Sequence, residues 1–285
     1  MPRRYDVSRD GFYHIVQHAP GDSGEVLFRE DADRLYFISL LKDTHDKFGT
    51  QICVFALMDN HVHICVKIVD MELSEPMKFL FQSYAQYFNL KYKRKGCLYS
   101  GRFFSRCMHN QLYILICSLY IHLNPCKSCI CEDARDFRWS SVLTYTVNIK
   151  NTFLRYDLIL DLIAPEDMDR ARAIYRRLLT DKRKLKLVDV VENKNAVEYF
   201  FADFFGSCKN PFEYLDPRYH DLIKRHMRLE EEVRYLCLKK RLRKMEDLRL
   251  FKEVVGKYKQ KGYTQDEIAQ KLGRTKSSIT NTLKR

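Results

Sequence analysis

Two histidines separated by one residue are the first side chains in the sequence that suggest chemistry. Side chains alternate between the faces of a β-strand, so His61 and His63 lie on one face and Val62 on the other. Two neutral imidazoles on one face can bind a single cation, and zinc and manganese accept such ligands, whereas magnesium needs added oxygen ligands. An isolated pair also fits two strand histidines that face solvent or pack in a core.

A tyrosine and an asparagine four residues apart form the second candidate pair. Tyr120 and Asn124 share one face of a helix that we expect from Gln111 to Leu123, with Pro125 as its end. A tyrosine with an ordinary pKa near 10 is a poor nucleophile, so a nearby metal would have to polarise the phosphate that it attacks. The carbonyl oxygen of Asn124 can supply a third metal ligand. Taken alone, Tyr120 also fits a half-buried core ring.

The elements that must position these residues predict an α+β fold, an antiparallel sheet with helices on one face. Strands are predicted at 11–18, 51–58 and 61–69, helices at 30–48, 76–91 and 111–123, and a loop or short strand pair at 92–106. Beyond residue 145 the patterns are helical, including 167–179, 221–242 and 245–258. We therefore predict a catalytic domain at 1–145, a helical extension at 146–245 and a DNA-binding segment at 246–285.

The charge of the chain indicates a polyanionic partner. A formal net charge of +13 and a pI near 9.2 favour nucleic acid first and an anionic membrane surface second. No segment is apolar enough to cross a bilayer and no signal peptide is seen, so we expect a cytoplasmic protein with reduced cysteines. A zinc site formed by Cys126, Cys129 and Cys131 lacks a second ligand pair, and buried thiols fit better.

These motifs together resemble the IS200-like Y1 transposases, in particular the REP-associated tyrosine transposases. The resemblance rests on MDNHVH at 58–63 and YIHLNP at 120–125, with FYHI at 12–15, FNLKY at 88–92, GCLYSGRF at 96–103 and RWSS at 138–141. It departs from the family at Asp59, which replaces a usual proline, at His18, which often is an arginine, and after Pro125.

The resemblance implies a fold, a reaction and a set of functional residues. It implies the HUH palm, a ferredoxin-like sheet, in which His61, His63 and Asn124 bind a divalent metal, Mg²⁺ or Mn²⁺. Tyr120 is then the nucleophile that cleaves single-stranded or hairpin DNA, stays bound to the 5′-phosphate and later returns the strand to a 3′-hydroxyl. Family members can exchange the tyrosine helix across a homodimer, so a dimer is possible.

Two further segments suggest contacts with DNA. Cations alternate with rings between residues 91 and 106, a composition suited to phosphates and unpaired bases. Its candidate DNA-binding residues are Lys91, Lys93, Arg94, Arg102 and Arg106. Residues 264–283 resemble a helix-turn-helix, which predicts contacts with duplex DNA from Lys276, Ser277, Ser278 and Asn281. A solvated basic loop and an ordinary helical hairpin are the alternatives.

Three functions remain open from the sequence. The first is a strand transferase that acts through a 5′-phosphotyrosine, and intact His61, His63, Tyr120 and Asn124 favour it. The second is a domesticated DNA-binding regulator with vestigial catalysis. The third is a metal-dependent nuclease that uses water and forms no covalent adduct.

Overall fold

The computed structural model describes residues 10–20, 25–108, 111–149, 152–180, 232–233, 236–237, 245–260 and 263–283. The chain divides into two compact units, Met1–Asp216 and Pro217–Arg285. This boundary differs in position from the two predicted domain boundaries, at 145 and 245, which stay predictions. The predicted helix at 221–242 lies mostly outside the described residues. No helix in the described ranges is long and apolar enough to cross a membrane.

A four-stranded antiparallel sheet forms the centre of the first unit, which confirms the predicted fold class. Its strands are β1 (Gly11–His18), β2 (Gln51–Leu57), β3 (His61–Ile68) and β4 (Phe104–Met108), in the order β2-β3-β1-β4. Helices α1 (Asp31–Phe48) and α2 (Ser74–Lys91) connect β1 to β2 and β3 to β4. Each pair of parallel strands thus encloses an antiparallel strand, the split βαβ arrangement of ferredoxin-like folds.

Helices cover both faces of this sheet, where one covered face was expected. Inward residues of β1 and β3, including Ile15 and Ile64, share one core with residues of α1 and α2 such as Phe37 and Tyr84. Helix α3 (Gln111–Lys127) packs on the opposite face against β2 and β3. Cys65 of β3 and Ala56 of β2 alternate along their strands with residues of the first core and therefore point to the other face of the sheet. Both are fully buried, which shows that this second face is also packed against other elements.

Helix α3 continues past the position at which it was expected to end. Pro125 lies inside the helix, which extends to Lys127. A proline removes the N–H that would bond to the carbonyl four residues earlier, and here the helix ends two residues after the proline. The backbone N–H groups of Ser128 and Ile130 donate to the carbonyls of Asn124 and Pro125, at 2.9 Å each, and thereby close the helix end.

Three short or medium helices extend the first unit beyond the sheet. They are α4 (Val142–Thr146), α5 (Asp157–Leu160) and α6 (Met168–Thr180). Helices α5 and α6 both pack on α3. The beginning of the predicted helical extension is therefore part of the packing that holds α3 on the sheet.

The second unit contains three described helices around a core of its own. They are α7 (Met245–Gln260), α8 (Gln265–Lys271) and α9 (Lys276–Leu283). Phe251, Ile268, Leu272 and Ile279 are at most 1% exposed in this core. The N-terminus of α8 has the predicted capping box, in which the backbone N–H of Thr264 donates to Glu267 at 2.8 Å and that of Glu267 donates to the Thr264 hydroxyl at 3.3 Å.

A buried carboxylate joins α1 to α2. Asp33 is fully buried and accepts hydrogen bonds from Lys91 Nζ at 2.6 Å and from the Tyr92 hydroxyl at 2.8 Å. It also accepts backbone N–H bonds from Arg29 at 2.8 Å and Glu30 at 3.2 Å. Burial alone would raise the pKa of Asp33, but these donors hold the pKa below its ordinary value.

Replacement of Asp33 by asparagine should destabilise the first unit in a pH-dependent way. Asp33→Asn removes the charge that Lys91 and Tyr92 contact, and we expect a loss of about 1 to 3 kcal/mol at pH 7 in chemical denaturation. The folded pKa lies below the unfolded pKa of about 3.9. The stabilisation is therefore complete above that value and disappears as the pH falls through the folded pKa.

The matched control is Asp46→Asn, which removes an exposed partner of Lys42 on α1. This change should cost far less stability than Asp33→Asn at any pH, because exposed i,i+4 ion pairs contribute little. An Asp33→Asn loss that equals the control, or that persists undiminished at pH 2, would contradict the role assigned to Asp33.

Candidate active site

The register of the sheet places four histidines on the face that α3 covers. His61 and His63 of β3 pair with His18 and Val16 of β1, and side chains directly opposite each other point to the same face. The ring centroids of His61 and His63 lie 4.9 Å apart. His14 stacks on His63 with centroids 5.3 Å apart. The predicted strand period thus holds at both candidate ligands.

Helix α3 brings the predicted tyrosine and asparagine to this pair. Asn124 Oδ1 lies 3.4 Å from His61 Nε2, and Asn124 Nδ2 lies 3.1 Å from His63 Nε2. The Tyr120 ring meets the His63 ring edge-on at 5.6 Å. All four side chains are at most 8% exposed. The four residues predicted to act together therefore lie together in one chain.

The second nitrogen of each candidate ligand is already engaged. His61 Nδ1 lies 2.7 Å from Asn60 Oδ1, and His63 Nδ1 lies 3.1 Å from His14 Nε2. If each Nδ1–H donates to these acceptors, both Nε2 lone pairs face the Asn124 amide. Metal-binding histidines usually have this arrangement, in which a second partner fixes the tautomer and the ring.

The donor set fits a divalent metal with oxygen and nitrogen ligands. No group of three His, Cys, Asp or Glu side chains able to hold a metal occurs within the described ranges, and the Asn124 amide is a candidate third donor because it contacts the Nε2 atoms of both histidines. Rotation of the Asn124 amide group by half a turn about its last side-chain bond exchanges the positions of Oδ1 and Nδ2, so the oxygen can face either histidine. An oxygen ligand beside two imidazoles leaves coordination positions for water and phosphate, as manganese and magnesium require.

Burial keeps the imidazoles of His63 and His14 neutral. Desolvation is the main reason that the pKa of His63 lies well below its ordinary value, and His61, His14, His18 and Lys127 add to the effect. Desolvation, with a smaller effect from Arg106, also lowers the pKa of His14 to about 3. Neutral imidazoles retain the lone pairs that a metal needs.

A hydrogen-bond network holds α3 in place behind the site. His122 is fully buried, with Nδ1 2.8 Å from the Tyr175 hydroxyl and Nε2 2.8 Å from the Ser141 hydroxyl. The Tyr175 hydroxyl donates to Ser118 at 3.0 Å, and the Phe55 N–H donates to Ser141 at 2.9 Å. The network links α3 to both α6 and β2. Burial lowers the pKa of His122 to about 3, so its ring is neutral.

The basic residues predicted to bind DNA differ in their surroundings. Lys91 Nζ contacts the Asp33 carboxylate, and Arg94 contacts both Glu25 carboxylate oxygens at 2.8 Å. Arg106 pairs with His14 across β4 and β1, which places it on the face of the histidines. Lys93 and Arg102 are exposed, and the Arg102 guanidinium lies 5.6 Å from the Phe103 ring centroid. Their contacts with DNA stay predictions.

The predicted DNA-contacting residues of the second unit lie on α9. Lys276, Ser277 and Asn281 are exposed, and Ser278 is half-buried. Lys276 Nζ binds Asp266 of α8 at 2.8 Å. The buried Ile279 faces the core of the unit, so the two sides of α9 differ as expected.

Comparison with known proteins gives a family match for the region that contains this sheet. Residues 10–124 match the family model described as Transposase IS200 like. The resemblance predicted from the sequence is confirmed for this part of the chain. The match ends at the candidate ligand Asn124.

Among the solved structures that are similar to the chain is one described as the REP-associated tyrosine transposase bound to a REP hairpin. It shares 14% identity, covers 54% of this chain and 88% of its own, and superposes with a TM-score of 0.45. No curated protein matches the chain.

Three residues of the site received no role from the sequence. His14 and Asn60 contact the candidate ligands, and Tyr175 fixes α3 from a helix beyond the family match. His14 is in a predicted strand at an even spacing from His18, which is a signal for a shared face. Tyr175 is 53 residues from its partner His122, and nothing in the local pattern indicates that contact.

Removal of the Tyr175 hydroxyl should loosen α3. Tyr175→Phe leaves His122 and Ser118 without their buried partner, so we expect a loss of about 1 to 3 kcal/mol of unfolding free energy. Chemical denaturation measures the loss. Tyr36→Phe is the control, because its ring stacks on Tyr87 outside this network. Equal stabilities of the two variants would contradict the role of the network.

Proposed function

We propose that this chain is a metal-dependent strand transferase that cleaves single-stranded or hairpin DNA through a 5′-phosphotyrosine on Tyr120. The observation that carries the proposal is the convergence of His61, His63 and Asn124 beside the Tyr120 ring. The match to the IS200-like transposases supports it. The site is assembled within one chain, so the proposal requires no second copy.

The chain's own residues perform separate tasks in this reaction. His61, His63 and Asn124 would hold Mg²⁺ or Mn²⁺, and a bound divalent cation polarises the scissile phosphate and offsets the charge that develops on it. Asn60 and His14 fix the two imidazoles. The network around His122 positions α3, so that the Tyr120 hydroxyl meets the phosphate in line.

The phosphotyrosine link retains the energy of the broken bond. The Tyr120 oxygen takes the 5′-phosphate and releases a 3′-hydroxyl. A 3′-hydroxyl can then attack the link and rejoin the strand, with no need for a nucleotide cofactor.

Contacts with DNA complete the proposal. We assign phosphate contacts near the site to Arg106, which lies on the same face as His14, and to the exposed Arg102 and Lys93. The pair α8 and α9 would bind duplex DNA as a helix-turn-helix through Ser277, Ser278 and Asn281. Lys276 can join them only if DNA displaces Asp266 from its ammonium group.

A covalent adduct with DNA tests the catalytic proposal. Labelled hairpin oligonucleotides from the gene's own flanks, incubated with Mg²⁺ or Mn²⁺, should give a denaturant-resistant adduct. Tyr120→Phe should abolish the adduct, and chelation of the metal should do the same. His61→Ala and His63→Ala should each reduce it at least about 100-fold, because each removes a candidate ligand.

The matched control is His45→Ala, which removes a histidine of α1 whose ring contacts the Thr50 carbonyl and Phe153. It should form adduct at the rate of the unchanged protein. Cleavage without an adduct, in the presence or absence of Tyr120, would instead indicate a hydrolytic nuclease. Binding without cleavage across several flanking sequences would indicate a regulator.

The salt dependence of binding tests the DNA contact of Arg102. Arg102→Gln should weaken binding of a single-stranded oligonucleotide and reduce the slope of log K against log salt by about 0.7, the value for one phosphate contact. Arg135→Gln, which removes an exposed partner of Asp133, should leave that slope unchanged. Fluorescence anisotropy between about 50 and 200 mM salt measures both slopes. An unchanged slope for Arg102→Gln would remove this residue from the DNA interface.

A further inference from the structure

Lys127 is a charged residue close to the proposed nucleophile that has no role in the function assigned above. It lies in the last turn of α3, seven residues after Tyr120 and therefore about two turns further along the same helical face. Its ammonium nitrogen is 5.6 Å from the centroid of the Tyr120 ring. The side chain is half-buried. Tyr120, Asn124 and Lys127 thus form one row along α3.

The charge of Lys127 also reaches the histidine pair. The Tyr120 ring that Lys127 contacts also meets the His63 ring, with the two ring centroids 5.6 Å apart. A phosphate placed between the candidate metal ligands and Tyr120 would therefore lie within the field of this ammonium group. The attraction between an ammonium group and a phosphate increases when few water molecules surround the two groups, because the effective dielectric constant is then lower than in bulk water.

The backbone at the end of α3 holds Lys127 at this position. Hydrogen bonds from Ser128 and Ile130 to the carbonyls of Asn124 and Pro125 close the turn that contains Lys127. A lysine in the last turn of a helix also interacts favourably with the helix dipole. A structural role of that kind and a catalytic role predict different responses to the charge of the substrate.

We propose that Lys127 is a catalytic residue that contacts a non-bridging oxygen of the scissile phosphate and neutralises the charge that builds up during attack by Tyr120. The inference rests on the strand-transfer function proposed above. An oxygen lone pair of Tyr120 forms the new bond to phosphorus, and the bond to the 3′-oxygen breaks with its electron pair. The phenol proton is lost and one proton is gained by the 3′-oxygen, so the charge balances. Lys127 remains an ammonium ion throughout.

Comparison of two substrates distinguishes this role from a structural one. The first is a hairpin oligonucleotide from the gene's flanks, with its cleavage position mapped by the unchanged protein. The second carries a neutral methylphosphonate at that position. On the ordinary phosphate, Lys127→Gln should slow adduct formation about 100-fold, the usual effect of removing one charge-stabilising group. On the methylphosphonate, the two proteins should differ less than about 5-fold, because the charge that Lys127 neutralises is absent.

Three further variants complete the experiment. Lys127→Arg keeps the charge and should retain the rate on phosphate within about 10-fold. Lys127→Met keeps an apolar stem over the Tyr120 ring, so it provides a second charge-free variant if Lys127→Gln folds poorly. Lys47→Gln is the control, since Lys47 lies in the last turn of α1 with its ammonium 4.5 Å from the Phe79 ring centroid. It should match the unchanged protein on both substrates.

The outcomes separate this inference from the proposed function. An equal defect of Lys127→Gln on both substrates, or full activity on phosphate, overturns the catalytic role of Lys127 and leaves the tyrosine mechanism intact. If the unchanged protein forms no adduct that depends on Tyr120, the proposed function fails and the inference fails with it.

Discussion

The contact of Asn124 with His61 and His63 is the interaction on which the candidate site depends. It joins α3 to β3, two elements that are distant along the chain, and it places Tyr120 against the ring of His63. A shift of α3 by a single residue would turn Tyr120 by about 100° and remove it from the histidines. The remaining structure of the first unit can be understood by how it prevents such a shift.

Buried polar groups on the side of α3 away from the candidate ligands oppose a shift of this helix more specifically than apolar packing would. His122, Tyr175 and Ser141 are buried, and each has partners on other elements. A buried polar group that loses its hydrogen-bond partner costs about 1 to 3 kcal/mol of stability. A displaced α3 would leave several such groups without partners at the same time. Apolar contacts tolerate small slides far better. Helix α6 therefore helps to fix α3, and with it Tyr120, through the contacts of Tyr175.

The sequence predicted the local features well because their periods are visible in it. Alternation in β3 placed His61 and His63 on one face, and the spacing of four placed Tyr120 and Asn124 on one turn. The predicted end of α3 was wrong, because the helix continues for two residues past Pro125. The second covered face was also missed, since Cys65 and Ala56 are small and did not indicate a second core.

Contacts over long sequence separations were beyond the reach of the sequence. Lys91 illustrates the point, since its ammonium group is bound by Asp33, 58 residues earlier, and no local pattern indicates that contact. Asp59 replaces the proline usual in similar proteins, and its carboxylate pairs with Arg34 of α1. Such partners depend on how α1 crosses the sheet. The pattern of charges along the sequence does not distinguish a lysine that is available to bind a DNA phosphate from a lysine that forms an ion pair with a carboxylate of the protein.

The most direct test of the account is to locate the covalent bond between protein and DNA. The adduct formed with a hairpin oligonucleotide would be digested with protease and nuclease and sequenced by mass spectrometry. The account predicts a nucleotide joined through its 5′-phosphate to the peptide that contains Tyr120, and a free 3′-hydroxyl on the other DNA fragment. A nucleotide on another residue, or an adduct through a 3′-phosphate, would contradict it.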